Sequence, residues 1–131
     1  MVRDRMTSYP VTIDADDTLA LAKDKMEERK CKRLPVLHSG KLVGILSEYD
    51  VRNYDEQLNS TLVRTAMTGQ PITISSFETV ELAALLLREH NVGALPVVDG
   101  GKLVGIISSK DLFTPEPRPL PEWDPRKRRR V

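Results

Sequence analysis

The stretch GKLVGILSEYD occupies residues 40–50, and a near copy, GKLVGIISSKD, occupies residues 101–111. Both begin with the same six residues, GKLVGI, and both end on an aspartate. A chain of 131 residues that repeats itself this closely is built from a duplicated unit. Such a repeat is stronger evidence for the fold than local propensities are, because each copy is expected to form the same supersecondary structure.

The similarity extends well beyond these two stretches. At an offset of 61 positions, residues 2–52 and 63–113 are identical at 22 of 51 positions without a gap. A Met-Thr pair, a proline and a Leu-Pro-Val tripeptide recur in the same order. We therefore predict repeat 1 over residues 1–53, a linker over 54–61 and repeat 2 over 62–113.

Each repeat carries the same succession of secondary-structure signals. A short β-branched strand follows the proline, and a helix then begins at a threonine N-cap, Thr18 or Thr79. Two apolar strands joined by a glycine turn come next, and a second helix begins near Ser47 or Ser108. The order is β-α-β-β-α, in a unit too small to bury a stable core alone. We expect an α+β fold in which two pseudo-symmetric units pack sheet to sheet.

Composition limits the class of protein. No apolar run approaches the length of about 18 residues that a membrane span needs, and the charged N-terminus does not resemble a signal peptide. The single cysteine, Cys31, excludes an internal disulfide and a cysteine-cluster zinc site. We expect a reduced, cytoplasmic protein.

Charge is distributed unevenly along the chain. Residues 1–113 carry 14 Lys and Arg against 16 Asp and Glu, whereas residues 114–131 carry 6 against 3. This tail also holds 5 of the 9 prolines, so we expect it to be flexible and outside the fold. A solvated terminus is the simpler interpretation of its RKRRR run, and contact with nucleic acid through that run is the alternative.

Ser47-x-x-Asp50 and Ser108-x-x-Asp111 each follow a strand and open a predicted helix. The pattern is that of a capping box, in which the serine and the acid satisfy amides of the first turn. The same geometry suits a nucleotide, because a helix N-terminus attracts phosphate and a carboxylate accepts ribose hydroxyls. The two interpretations are compatible.

The Met-Thr and proline start, the Leu-Pro-Val strand, GILSEYD and GIISSKD all recur in register. Through them, residues 1–113 resemble a tandem pair of CBS domains, also called a Bateman module. The resemblance implies a stand-alone, ligand-sensing regulatory module that binds AMP, ADP, ATP or S-adenosylmethionine in clefts between the repeats. It implies a homodimer and no required cofactor, the adenosyl compound being a regulatory ligand. The protein that responds to it is not indicated.

The resemblance further implies two composite clefts, each built from both repeats. The expected members of the first cleft are Ser108, Asp111, Val11, Thr12, Lys32 and Arg33, with Tyr49 at the edge. Those of the second are Ser47, Asp50, Ile72, Thr73, Gly93 and Ala94, with Lys110 as the one obvious cation. We expect the first cleft to prefer phosphorylated ligands, because Lys32 and Arg33 can neutralise phosphate. The second should bind weakly or take a nucleoside-like ligand. A solvated helix end is the alternative for both cations.

The predicted helix of repeat 2 is unusually apolar. Residues 23–25 (KDK) of repeat 1 become residues 84–86 (ALL) at the aligned positions. We expect a homodimer built on the repeat 2 helices, with Leu85 and Leu86 at the interface. Burial of this helix in the core of the pair is the alternative.

No catalytic constellation stands out. His38 and His90 belong to no Cys/His cluster, so we expect no metal site. SGK and GGK lack the spacing of a phosphate loop. We therefore expect a protein that is not an enzyme, and a ligand-free dimerisation or assembly module remains the alternative to a sensor.

Overall fold

The computed structural model describes residues 1–113, so our expectation of a flexible tail at residues 114–131 lies outside the described part. A 3₁₀ turn (Val2–Asp4) opens the chain. The following elements of repeat 1 are β1 (Thr7–Ser8), β2 (Ile13–Asp14), α1 (Leu19–Arg29), β3 (Arg33–His38), β4 (Lys41–Ser47) and α2 (Glu48–Arg52). Those of repeat 2 are α3 (Val63–Ala66), β5 (Thr68–Gly69), α4 (Val80–Glu89), β6 (Ala94–Asp99), β7 (Lys102–Ser108) and α5 (Ser109–Phe113).

The longer helix of each repeat begins at the predicted threonine. The Thr18 hydroxyl accepts a hydrogen bond from the Leu21 N–H at 3.2 Å, which caps α1. The Thr79 hydroxyl accepts one from the Leu82 N–H at 3.0 Å, which caps α4. Both N-cap predictions are confirmed, since each hydroxyl satisfies an amide that has no partner within the helix.

The two apolar strands of each repeat form an antiparallel hairpin, β3 with β4 and β6 with β7. The turns pass through Gly40 and Gly101, whose φ angles of 78° and 80° cost glycine no steric strain. A bulge interrupts both hairpins at the equivalent place, after Val36 and after Val97. The predicted hairpins are confirmed.

The repeats exchange their first strands. One sheet has the order β2-β3-β4-β5, and the other has the order β1-β7-β6. Thus β1 of repeat 1 pairs with β7 of repeat 2, while β5 of repeat 2 pairs with β4 of repeat 1. Glycines permit this close approach, because a Cβ atom on Gly44 would lie 2.8 Å from the Thr68 carbonyl oxygen, and one on Gly105 2.9 Å from the Thr7 carbonyl oxygen.

The exchange extends into the two hydrophobic cores. Val63 of repeat 2 is buried in the cluster that contains Leu34, and Val2 of repeat 1 is buried in the cluster that contains Leu95. The two sheets contact each other through β4 and β7. The predicted α+β fold, with two pseudo-symmetric β-α-β-β-α units packed sheet to sheet, is confirmed.

Helix α4 places part of its apolar surface in the core of repeat 2. Ala83 and Leu87 are buried there, and Leu86 packs partly buried against the same cluster. Leu85 is 41% exposed and forms the uncovered remainder of the apolar surface. Neither α4 nor any other helix within residues 1–113 has the length and apolarity needed to cross a bilayer.

Candidate functional site

Both aspartates of the repeated stretch are held by hydrogen bonds to the serine that opens their own helix. The Asp50 N–H donates to Ser47 Oγ at 3.1 Å, and the Ser47 N–H donates to Asp50 Oδ2 at 2.9 Å. The Ser108 N–H and hydroxyl donate to Asp111 Oδ2 at 2.8 and 3.2 Å. The predicted capping box is confirmed at Ser47, and at Ser108 the carboxylate accepts both bonds.

A cavity of about 400 Å³ opens beside Asp50, and we call it the Asp50 cleft. Its walls come from both repeats, because β5 is inserted beside β4. The lining residues are Arg33, Ile45, Ser47, Tyr49, Asp50, Thr68, Gln70, Pro71, Ile72, Asn91, Val92, Gly93 and Ala94.

A second cavity, of about 440 Å³, opens beside Asp111, and we call it the Asp111 cleft. It too has walls from both repeats. The lining residues are Thr7, Lys30, Cys31, Lys32, Arg33, Ala94, Ile106, Ser108, Lys110 and Asp111. Both volumes fall in the range of small-molecule sites, which is about 300–1,000 Å³.

Most of the side chains assigned from the sequence line the expected cavity. The Asp111 cleft contains Ser108, Asp111, Lys32 and Arg33. The Asp50 cleft contains Ser47, Asp50, Ile72, Gly93 and Ala94. The two repeated Ser-x-x-Asp stretches therefore each face a wall that the other repeat supplies.

Two side chains lie in the opposite cleft from the one expected. Lys110, expected in the second cleft, lines the Asp111 cleft, and Tyr49, expected at the edge of the first, lines the Asp50 cleft. Each lies in the first turn of α5 or α2, so it remains beside the aspartate of that same turn.

Three further residues of the predicted clefts lie outside both linings. Val11 packs against the repeat 1 core instead. The Thr12 carbonyl oxygen accepts a hydrogen bond from Lys25 Nζ at 2.8 Å, which ties this segment to α1. Thr73 is exposed.

Sequence analysis missed the threonines of the exchanged strands. Thr7 reaches the Asp111 cleft because β1 pairs with β7, and Thr68 reaches the Asp50 cleft because β5 pairs with β4. The Met-Thr pair, which recurs in both repeats, could have indicated these two threonines. It was missed because it lies before the predicted strand. Lys30, Cys31, Gln70 and Asn91 were also missed.

The two clefts differ strongly in charge. Lys30, Lys32, Lys110 and Arg33 all line the Asp111 cleft, where Asp111 is the one acidic lining residue among residues 1–113. Within residues 1–113 no ion pair or hydrogen bond engages the side chains of the three lysines. Among the described residues, carboxylates therefore do not pair with these lysines.

Arg33 is the cation of the Asp50 cleft. The sequence predicted Lys110 as the cation there, but it is the Arg33 guanidinium that occupies the space over Gly93. A Cβ atom on Gly93 would lie 3.2 Å from Arg33 Cζ. Arg33 thus lines both clefts, whereas Lys110 does not reach the Asp50 cleft.

Cys31 lies in the wall of the Asp111 cleft. Partial burial raises the pKa of its thiol, and the nearby positive charge of Arg29 acts in the opposite direction with a smaller effect. The thiol is therefore mainly protonated at neutral pH. It is the single cysteine of the chain, which makes it a site-specific reporter for this cleft.

One surface cluster outside the clefts brings potential metal ligands together. Ligand atoms of Asp14, Asp16 and His38 lie within 4.8 Å of one another, and all three residues are exposed. Asp16 already forms an ion pair with Arg64. We assign no metal to this cluster, since exposed carboxylates commonly gather without one.

Comparisons with known proteins agree with this architecture. The sequence model of the CBS domain matches residues 2–56 and 63–114. A CBS domain-containing protein of Dictyostelium discoideum is 35% identical over 128 residues, covering 86% of this chain and 88% of that protein. The inosine-5'-monophosphate dehydrogenase of Korarchaeum cryptofilum is 34% identical over 122 residues, covering 92% of this chain. This chain spans 25% of the length of that enzyme.

Two solved structures are similar over most of the described residues. The CBS domain pair of protein MJ0100, in complex with 5'-methylthioadenosine and S-adenosyl-L-methionine, is 29% identical with a TM-score of 0.78, covering 86% of this chain and 91% of that chain. CBSX2 in complex with AMP is 30% identical with a TM-score of 0.75, covering 85% and 91%. The repeated sequence, the exchanged strands and these matches together show that the chain belongs to the CBS domain family and forms a tandem CBS pair, a regulatory module.

Proposed function

We propose that this CBS pair is a sensor without catalytic activity, which binds an adenosine-containing ligand in its two clefts. AMP, ADP, ATP and S-adenosylmethionine are the candidates. The observation that carries the proposal is the arrangement at Asp50 and Asp111, where an oriented carboxylate opens each cleft opposite a wall from the other repeat. The complexes of MJ0100 and CBSX2 support the ligand class.

Each aspartate acts as the acceptor for ribose hydroxyls. Its orientation is set before the ligand arrives, because the hydrogen bonds from Ser47 or Ser108 fix the carboxylate. Preorganised groups lose less conformational entropy on binding. In the Asp50 cleft, Pro71 and Ile72 supply an apolar wall suited to an adenine ring.

The Asp111 cleft prefers ligands that carry phosphate. Lys30 and Lys110 join Lys32 and Arg33 there, so the cleft holds more positive charge than the sequence suggested. Arg33 is the one cation that the described part of the chain contributes to the Asp50 cleft, so this cleft prefers a ligand with less negative charge.

Signalling follows from the composite walls. A ligand that contacts both repeats stabilises one arrangement of the pair over another, provided that its affinity differs between the two. An unidentified regulated protein would respond to that change. The nucleic-acid alternative rests on residues 126–130, which lie outside the described residues.

An assembly module is the second candidate function, and the exposure of Leu85 on α4 favours it. A homodimer that buries Leu85 and Leu86 is compatible with either function, because α4 lies outside the linings of both clefts. The two candidates therefore differ in one respect, which is whether the clefts take a ligand.

Alkylation of Cys31 by a maleimide tests the proposal at the Asp111 cleft. AMP, ADP or ATP should slow the reaction in the unaltered chain, because the ligand covers the wall that contains the thiol. The protection should be lost in Asp111→Ala and kept in Asp50→Ala, the matched variant of the other cleft. An alkylation rate that no adenosyl ligand changes would favour the assembly module.

A further inference from the structure

Arg33 occupies the position where the two clefts meet. It is the first residue of β3, is partly buried, and lines both the Asp50 and the Asp111 cleft. Its equivalent in repeat 2 is Ala94, which also lines both clefts. The pseudo-symmetric pair therefore has one cation at its centre where a symmetric pair would have two.

The Arg33 guanidinium packs over Gly93, and no polar contact from residues 1–113 fixes it. Gly93 makes room for the group, since a Cβ atom there would lie 3.2 Å from Arg33 Cζ and 3.5 Å from Nε. Within residues 1–113 the side chain forms no hydrogen bond and no ion pair. A guanidinium has five N–H donors, so a partly buried one without partners is ready to bind an anion.

The two clefts depend on this cation to different degrees. The Asp111 cleft has Lys30, Lys32 and Lys110 in addition, whereas no other cation lines the Asp50 cleft within the described part of the chain. A single guanidinium cannot form the same bidentate contact with two phosphates on opposite sides of it.

We infer that Arg33 couples the two clefts negatively, because its guanidinium serves an anionic ligand in one cleft at a time. The inference rests on the proposed function and deepens it. A phosphate in the Asp111 cleft draws the guanidinium toward itself and leaves the Asp50 cleft without a cation. By reciprocity, a phosphate in the Asp50 cleft weakens phosphate binding beside Asp111 by the same factor. A ligand without phosphate is not affected.

Calorimetric titration of the full chain with AMP and with adenosine tests the coupling. Asp111→Ala leaves the Asp50 cleft as the one intact cleft, with Arg33 available to it. In the unaltered chain, AMP fills the Asp111 cleft first and then binds the Asp50 cleft. We expect the Asp50 cleft of Asp111→Ala to bind AMP at least about fivefold more tightly than this second step, which is a typical coupling factor. Arg33→Gln should abolish this difference, and adenosine should show none in any variant.

Titration of the intact clefts keeps the inference testable if Asp111→Ala fails to fold. In that case the two AMP dissociation constants of the unaltered chain should differ by a larger factor than those of Arg33→Gln. Two AMP sites whose constants are independent of each other and of Arg33 would overturn the inference and leave the proposed function intact. The same coupling with adenosine would also overturn it. No binding of AMP, ATP or adenosine would overturn the inference and the proposed function together.

Discussion

Gly44 and Gly105 show how single residues permit the exchange of strands. A Cβ atom on Gly44 would lie 2.5 Å from Met67 Sδ and 2.8 Å from the backbone oxygen of Thr68. The sulfur can move, but the carbonyl belongs to β5 and cannot move without disturbing the strand pairing. We expect Gly44→Ala to lower the free energy of unfolding by about 1–3 kcal/mol, the usual cost of overpacking.

Urea unfolding measures this effect, and Gly69→Ala is the matched control. Gly69 lies in β5 itself, but a Cβ atom there would have its nearest neighbour at 3.9 Å, an ordinary contact. Gly69→Ala should therefore unfold close to the unaltered chain. Equal stabilities for Gly44→Ala and Gly69→Ala would show that β5 does not need the close approach to β4.

Asp99 links the β6 hairpin to the segment before α4. Its carboxylate accepts hydrogen bonds from Ser76 Oγ at 2.5 Å, from the Ser76 N–H at 2.9 Å and from Ser75 Oγ at 2.9 Å. These hydrogen bonds hold the pKa of Asp99 below its ordinary value. The bond from the Ser76 hydroxyl has the largest effect, followed by the bond from the Ser76 N–H and then by the bond from Ser75.

A carboxyl with a depressed pKa stabilises the fold above its unfolded-state pKa, and this contribution is lost as pH falls through the folded-state pKa. We expect Asp99→Ala to lower the thermal midpoint at about pH 7, and the difference from the unaltered chain to shrink toward about pH 2. Asp55→Ala, at an exposed position, is the control. A difference that stays constant over this range would contradict the role of the Asp99 carboxylate.

At the scale of elements, the surface of α4 has one exposed apolar residue that the fold does not use. Leu85 is 41% exposed, while its neighbour Leu86 packs against the repeat 2 core. We expect Leu85→Lys to convert a dimer into a monomer that remains folded, because the side chain contributes little to the core of its own chain. Analytical ultracentrifugation gives the molar mass directly.

Leu21→Lys is the control for this variant. Leu21 lies on α1 and is 42% exposed, so the same charge is introduced at equal exposure on the helix of the other repeat. It should leave the dimer intact. A monomeric unaltered chain, or equal dissociation by both substitutions, would contradict a dimer built on α4.

The sequence was sufficient to predict most elements but not their pairing across the repeats. Thr18 and Thr79 cap their helices and Gly40 and Gly101 turn their hairpins, because these roles depend on neighbours a few residues away. The strands β1 and β5 have two residues each, which is too short for an alternating pattern. Their partners are about 100 and 25 residues distant along the chain.

The residues of the candidate site could likewise be predicted only in part. Ser47, Asp50, Ser108 and Asp111 could be assigned from a local motif that occurs twice. The reach of Arg33 into the Asp50 cleft could not, because it depends on how β3 of one repeat meets Gly93 of the other. Lys110 lies in the first turn of α5, so it stays beside Asp111 and does not reach the Asp50 cleft.

At the scale of the whole molecule, the exchange makes the two repeats one folding unit. Val2 and Val63 occupy equivalent positions, are 0% exposed, and each completes the core of the opposite repeat. We expect Val2→Ala and Val63→Ala each to lower the free energy of unfolding by about 2 kcal/mol, through lost burial and the cavity that remains.

Both variants should still unfold in one transition, since each core contains a fully buried residue from the other repeat. Calorimetry checks this by comparing the calorimetric and van't Hoff enthalpies. Two separate transitions in either variant would mean that the repeats fold independently, which the shared cores do not allow.

Thermal unfolding with a panel of ligands measures whether the clefts take an adenosyl ligand. The panel is AMP, ADP, ATP, S-adenosylmethionine and GTP. A ligand at about 100 times its dissociation constant adds about 2.7 kcal/mol, which shifts the midpoint by several degrees. We expect a phosphorylated adenosyl ligand to raise the midpoint and GTP to have little effect. In Asp111→Ala the shift, measured from the ligand-free midpoint of that variant, should be smaller than in the unaltered chain, because the Asp50 cleft alone remains intact. Unchanged midpoints with every ligand would contradict such binding and favour the assembly module.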